Sequence, residues 1–364
     1  MNATHTLYGA EISYFSGKVR AYLRWKGIPF EEVAADATVY REVIVPGVGF
    51  PVIPVVRTPA GALLQDSTEI IEQLEAAHPH PGIVPAGGLQ RFAAALLELH
   101  ADEWLVLPAM HYRWHHNREW AMRAFGALNA PDAGAEEQFA IGQRRAAPFA
   151  QAAVLLGAQP HMHAAIERSY EDLLAELDAH FADHACVLGG RPSIADFALY
   201  GPLYAHQYRD PASGALMRRR APRLVRWVEQ LRDGTLPRDG AFVPADEIPG
   251  TLLPVLRRML REQLPVLADS IVRLREWMAQ HPGERSVPRA IGMHAFALEG
   301  ARGERIVRPY SLWMLQRARD VHAGLAPETK ARADRLLQAL GGDGWFQLPE
   351  LPRLEREGLS VRLP

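Results

Sequence analysis

The chain has 364 residues, 48% of them hydrophobic, with 40 basic against 42 acidic side chains and a formal charge of −2. That length and apolar content allow two or three domains with sizeable cores, while the near-balanced charge supplies no general field for nucleic acid or an anionic membrane. A single cysteine, Cys186, excludes an internal disulfide framework and is expected in a helix-end core.

The apolar stretches, such as Phe92 to Leu97, are too short to span a bilayer. The start MNATHTLYGAEIS lacks the basic and apolar regions of a signal peptide, so a cytoplasmic location is expected. Thr6-Leu7-Tyr8 reads as a strand, and Val19, Tyr22, Leu23 and Trp25 recur at helical spacing until Gly27-Ile28-Pro29 stops the helix. Phe30 to Val33 is a second strand, and Thr38 to Gly49 is poorly defined. Val52 to Val56 then reads as a buried strand with a proline at its centre, followed by a Pro59-Ala60-Gly61 turn and a strand over Ala62 to Gln65.

Proline is excluded from central strands because it lacks a ladder donor, so Pro54 predicts a sharp bend through a cis Ile53–Pro54 bond that leaves the Ile53 main chain unpaired. Asp66-Ser67 opens a helix whose free N–H groups suit a carboxylate. Together they predict a site for a small peptide-like acid. The turn Ser13-Tyr14-Phe15-Ser16, between the first strand and first helix, offers three hydroxyls beside a helix N-terminus; the plainer alternative is that Ser16 caps the helix and Ser13 is a turn residue.

After the rigid linker His78-Pro79-His80-Pro81-Gly82, helical patterns cover about 89–107, 108–125, 135–156, 161–184, 194–206 and 222–231. Three regions are expected: 1–82, 89–232 and 235–364. In the third, helices are expected at 252–280 and 310–323, and Ile291 to Leu298 and Arg305 to Arg308 flank Glu299 to Gly303 as a β-hairpin near 291–308.

LYGAEISYFSGKVRAYLRWKGIPFEEV, VIPVV and QDSTEIIEQLEAAHP, in that order, resemble the thioredoxin-like amino-terminal domain of the glutathione transferase family. LLAELDAHFADHACVLGGRPSIADFALYGPLYA resembles the family's helical domain, with Ser193-Ile194-Ala195-Asp196 as its capping box, a folding element with no catalytic role. The resemblance covers roughly residues 6–232. It implies an α+β thioredoxin-like domain, an all-α domain and, outside the pattern, a mostly helical extension.

The resemblance further implies that glutathione is the co-substrate, with Ile53 before Pro54 pairing with its cysteinyl amide and Asp66 with Ser67 holding its γ-glutamyl end. Ser13 aligns with the catalytic serine of the serine-type branches; Tyr14, standing where many relatives have proline, and Ser16 are the alternatives. A thiol of pKa about 8.5 must drop roughly two units, at about 1.4 kcal/mol each, to be mostly thiolate at neutral pH. A hydroxyl donating to the thiolate contributes about 1.5–3 kcal/mol and a helix dipole about 0.3–1 kcal/mol, which suffices.

The expected reaction is thiolate attack on a hydrophobic electrophile, by conjugation, isomerisation or reductive cleavage, in a cytoplasmic detoxifying homodimer. Without cysteine at the turn, disulfide exchange on the protein is not expected. The alternative is a non-catalytic binding or scaffold protein on the same fold.

In HADEWLVLPAMHYRWHHNREW, Met110, Tyr112, Arg113 and Trp114 are candidates for the electrophile site, which the resemblance places along the first long helices of the helical domain. His111 and His115, four apart, could share a metal with Glu103. An aromatic-rich helix without His-Glu-x-x-His more often packs a core, and no metal is expected. In the extension, Arg302, Arg305, Arg308, Arg317 and Arg319 near Tyr310 and Trp313 could bind an anion; pairing with acids such as Asp320 and covering the core is the favoured reading. The extension is expected to pack on the helical domain.

Overall fold

The computed structural model describes residues 4–364. Residues 1–3, the first of the segment read as lacking a signal peptide, lie outside it. Strands β1 (His5–Gly9), β2 (Phe30–Ala34), β3 (Val55–Arg57) and β4 (Leu63–Gln65) form a mixed sheet in the order β2-β1-β3-β4, with β1–β2 parallel and the other pairs antiparallel. Helix α1 (Tyr14–Lys26) begins at Ser13 and ends at Gly27, whose φ of 72° is the left-handed conformation a helix stop favours. Helix α2 (Ser67–Ala77) follows β4. The segment left undefined between β2 and β3 is a run of short helical turns that includes a π-helical turn, Tyr40–Ile44.

The helical region comprises α3 (Gly88–Glu103), α4 (Val106–His111), α5 (Arg118–Asn129), α6 (Ala135–Leu155), α7 (His163–Asp183), α8 (Ile194–Pro202), α9 (Pro211–Arg220) and α10 (Pro222–Asp233). Two of these run on into π-helical turns, Tyr112–His116 after α4 and Leu203–Tyr208 after α8. Helix α1 is buried on both faces: Tyr22 and Trp25 lie 5.5 and 5.9 Å from the Phe197 ring of α8, and Trp25 Nε1 donates to the Leu236 carbonyl. The sheet and the helices therefore share one core, in which Cys186 is fully buried.

The extension adds α11 (Leu253–Glu262), α12 (Leu264–Gln280), α13 (Pro309–Ala323) and α14 (Pro327–Ala339), with strands β5 (Ser286–Val287), β6 (Met293–Leu298), β7 (Ala301–Ile306), β8 (Glu355–Glu357) and β9 (Ser360–Arg362). Pro265 divides the single helix expected over 252–280, because it fits a helix start and cannot donate within one. The hairpin is present but tighter than expected. Glu299 and Gly300, with φ of 46° and 80°, form a two-residue turn, and Ala301 already pairs with Leu298. Strands β5, β9 and β8 form a second small sheet that periodicity did not reveal. Helix α13 lies along α3, with Phe92 5.0 Å from His322 and 5.5 Å from Trp345.

Asp196 accepts from the Ser193 N–H (2.8 Å) and hydroxyl, the Val187 N–H (2.9 Å) and Trp227 Nε1, all buried. Asp196→Ala strands these donors, and chemical denaturation is expected to show a loss of at least about 2 kcal/mol; an unchanged midpoint would contradict this role.

Candidate functional site

Strand register brings the predicted residues to one edge. Tyr8, Val55 and Gln65 lie side by side across β1, β3 and β4. Immediately beyond that row come the turn carrying Ser13, the pair Ile53–Pro54 and the start of α2 at Asp66. The Ile53–Pro54 peptide is cis, and β3 starts only at Val55, so Pro54 stands at the strand's entrance rather than in its middle and Ile53 takes no part in the ladder.

Ser13 is the N-cap of α1. Its Oγ accepts from the Ser16 N–H at 3.3 Å, which leaves its own proton free to donate. Ser16 is fully buried and accepts from the Ala10 N–H. Tyr14 turns away from the edge and donates its hydroxyl to the Ala101 carbonyl. Burial, then the Asp102 and Glu103 carboxylates, push its phenol far above the ordinary range.

Asp66 caps α2, accepting on Oδ1 from the Thr68 and Glu69 N–H groups at 2.9 and 3.2 Å. Its φ of 77° lies in the region a non-glycine residue occupies at a cost of about 1–3 kcal/mol, and such residues cluster at functional sites. Ser67, the first residue of α2, is buried.

Met110, Tyr112, Arg113 and Trp114 are all buried. Arg113 is held by Asp210 at 2.8 Å and donates to the Ala205 carbonyl and, at 2.8 Å, to the Ile12 carbonyl. It therefore fixes the chain entering the Ser13 turn. Glu103 does not join His111 and His115. It accepts from Ser311 (2.6 Å) and Arg308 (3.3 Å), while Glu167 meets His111 instead.

Residues 7–82 match the family model for the glutathione S-transferase N-terminal domain, and residues 146–230 match the model for its C-terminal domain. The chain belongs to the glutathione S-transferase family. Among solved structures similar to it are β-etherase LigF from Sphingobium sp. strain SYK-6 (19% identity, covering 65% of this chain and 97% of that one, TM-score 0.47) and glutathione transferase GSTFuA3 from Phanerochaete chrysosporium (16%, 67% and 100%, 0.47). A third is a glutathione S-transferase from Methylobacterium radiotolerans JCM 2831 in complex with glutathione sulfonate (21%, 67% and 99%, 0.40). No curated protein matches the chain.

Two features of this glutathione S-transferase family member were missed in the sequence. The first lies beneath the site. Lys18 of α1, with no exposure, donates to Thr68 Oγ1 (3.1 Å), Glu98 Oε1 (2.7 Å) and Asp102 Oδ2 (2.6 Å), tying α1, α2 and α3 together. Burial opposes the Lys18 charge, but the two carboxylates outweigh it and keep the ammonium protonated. Burial raises the Asp102 carboxyl to about 7 against the pull of Lys18.

The second is the reach of the extension. Tyr310 donates to Asp66 Oδ2 at 2.5 Å, and Arg356 grips Glu69 at 2.6 and 2.8 Å and Gln65 at 2.7 Å. Arg317 pairs with Glu72 and lies over Trp313, and Arg305 is buried over Trp104. Asp320 takes Arg353, an arginine outside the five singled out. Those arginines that find acids do so on the first two regions.

A carboxyl whose folded pKa exceeds its unfolded value of about 3.9 holds its proton more tightly when folded, so Asp102 disfavours folding increasingly as pH rises from about 4 to about 7. The melting temperature of Asp102→Asn minus that of the parent should become more positive over this window; a difference that does not change with pH would count against the assignment.

Proposed function

We propose that the chain is a glutathione-dependent transferase in which Ser13 activates the glutathione thiol for attack on a hydrophobic electrophile. The observation that carries this reading is the single edge shared by a capping serine with a free proton, an unladdered Ile53 before Pro54, and the strained Asp66 with Ser67 at the start of α2.

In this reading Ile53 offers main-chain groups to the cysteinyl amide, and Asp66 with Ser67 holds the γ-glutamyl ammonium and carboxylate. The thiol proton leaves to solvent, and the Ser13 hydroxyl donates to the thiolate, contributing about 1.5–3 kcal/mol. The sulfur then forms a bond to the electrophilic carbon as its leaving group departs. Ser13 is preferred over Tyr14, whose hydroxyl is engaged with Ala101, and over the buried Ser16. A cytoplasmic location, a detoxifying role and a homodimer belong to the same reading.

One observation favours the second reading, a non-catalytic binding or scaffold protein. Tyr310 and Arg356 stand on Asp66, Gln65 and Glu69, the end of the site assigned to the γ-glutamyl group. Calorimetric titration with glutathione decides between the two. The transferase reading expects saturable binding by the parent chain, turnover of a model aryl halide, and loss of the thiolate absorbance of bound glutathione in Ser13→Ala. Binding that appears only in Tyr310→Phe with Arg356→Ala would show that the extension covers the site in the parent. No binding at millimolar glutathione in either protein would end the transferase reading.

A further inference from the structure

The helix carrying His111 was read with His115 as its natural companion, because residues four apart share a face of an α-helix. The structure pairs it differently. Residues Tyr112–His116 form a π-helical turn, whose i to i+5 hydrogen bonds widen the helix and bring residues five apart toward one side. His111 and His116 consequently converge on one acceptor, the Oε1 atom of Glu167 on α7, at 2.8 and 2.7 Å from their Nε2 atoms.

Two more imidazoles complete the cluster. His115 stacks on His111 with ring centroids 5.2 Å apart, and His163, one helical turn before Glu167, lies 4.5 Å from His111 and 4.2 Å from His115. Hydrogen bonding alone leaves Nδ1 of the buried His111 without a partner. That orphan nitrogen points away from Glu167, and it is the convergence of the two Nε2 atoms on one carboxylate oxygen, at a π turn of the kind that frequently marks functional sites, that singles out the cluster.

We propose that His111, His116 and Glu167 form a zinc site, with His163 or a water molecule as the fourth ligand. The three ligand atoms lie within 4.8 Å of one another, so small side-chain movements bring each to the roughly 2.0–2.2 Å that zinc requires of imidazole nitrogen and carboxylate oxygen. Two imidazoles and a carboxylate suit this ion, which has no geometric preference of its own to impose on the helices. The His163 ring lies beside the cluster, with its Nε2 3.3 Å from the Ala158 carbonyl. Zinc here would clamp the π turn to α7. This reverses the expectation of a metal-free chain.

The test uses the full-length chain without an affinity tag, stripped with chelator and titrated at neutral pH with Zn²⁺ by calorimetry and with Co²⁺ by visible absorption. About one equivalent should bind with micromolar or tighter affinity, and Co²⁺ should show the intense bands of a tetrahedral site. His116→Ala and Glu167→Gln, both at least partly exposed and checked for folding by circular dichroism, should each weaken binding by about tenfold or more. His161→Ala, an exposed histidine outside the cluster, and Ser13→Ala should leave it unchanged, which separates this result from the fate of the glutathione reading. Absence of saturable micromolar binding, or equal binding by a His116→Ala, Glu167→Gln double variant, would overturn the proposal.

Discussion

The buried Lys18 ammonium is the interaction on which the rest of the structure depends. It sits on α1, a helix buried along nearly all its length, and meets groups on α2, whose start belongs to the candidate site, and on α3, the first long helix of the all-α region. A buried ion cluster adds little stability over an apolar one, but removing one partner leaves uncompensated charge that costs about 3–5 kcal/mol. The cluster therefore acts as a fixed register between two layers. With α1 and α2 pinned in this way, the Ser13 cap and the Asp66 cap cannot drift relative to each other, which a cleft built from two helix starts requires.

The extension uses the same strategy at the surface. Tyr310, Arg308, Arg317 and Arg356 reach acids at the start of α2, along it and at the end of α3, in addition to ion pairs within the extension such as Arg353 with Asp320. The consequence is a third layer attached to the face where α2 begins. Burial and the Asp66 carboxylate push the Tyr310 phenol far up, which favours its neutral, donating form. Asp66 is thus shared between its own helix cap on one oxygen and the extension on the other.

Much of this was legible because local chemistry is explicit in short segments. Gly27-Ile28-Pro29 stopped α1, Asp66-Ser67 opened α2, and the mid-strand proline pointed to an unladdered residue before β3. The hairpin of the extension was readable from its two apolar flanks, although its turn was placed too wide because Ala301 and Arg302 carry no strand signal of their own. What remained hidden depends on partners distant in sequence. Nothing in the pattern around Lys18 announces Glu98 and Asp102, and Arg356 finds Glu69 across 287 positions. Tyr14 looked available as a hydroxyl because its acceptor, Ala101, lies on another helix.

The π turns have a consequence for how the chain is measured against its relatives. Tyr112–His116 and Leu203–Tyr208 are bridged by Arg113, which reaches Ala205 and His206. Each such turn holds one residue more than the α-helical path over the same rise. Against a relative that spans the same distance with a plain α-helix, the surplus is a one-residue insertion inside a helix, where alignments least readily place a gap. Pushed out into a flanking loop, the gap would shift every intervening position by about 100° around the helix axis. Matching side chains across the family in this region thus requires counting residues by turn and not by segment length.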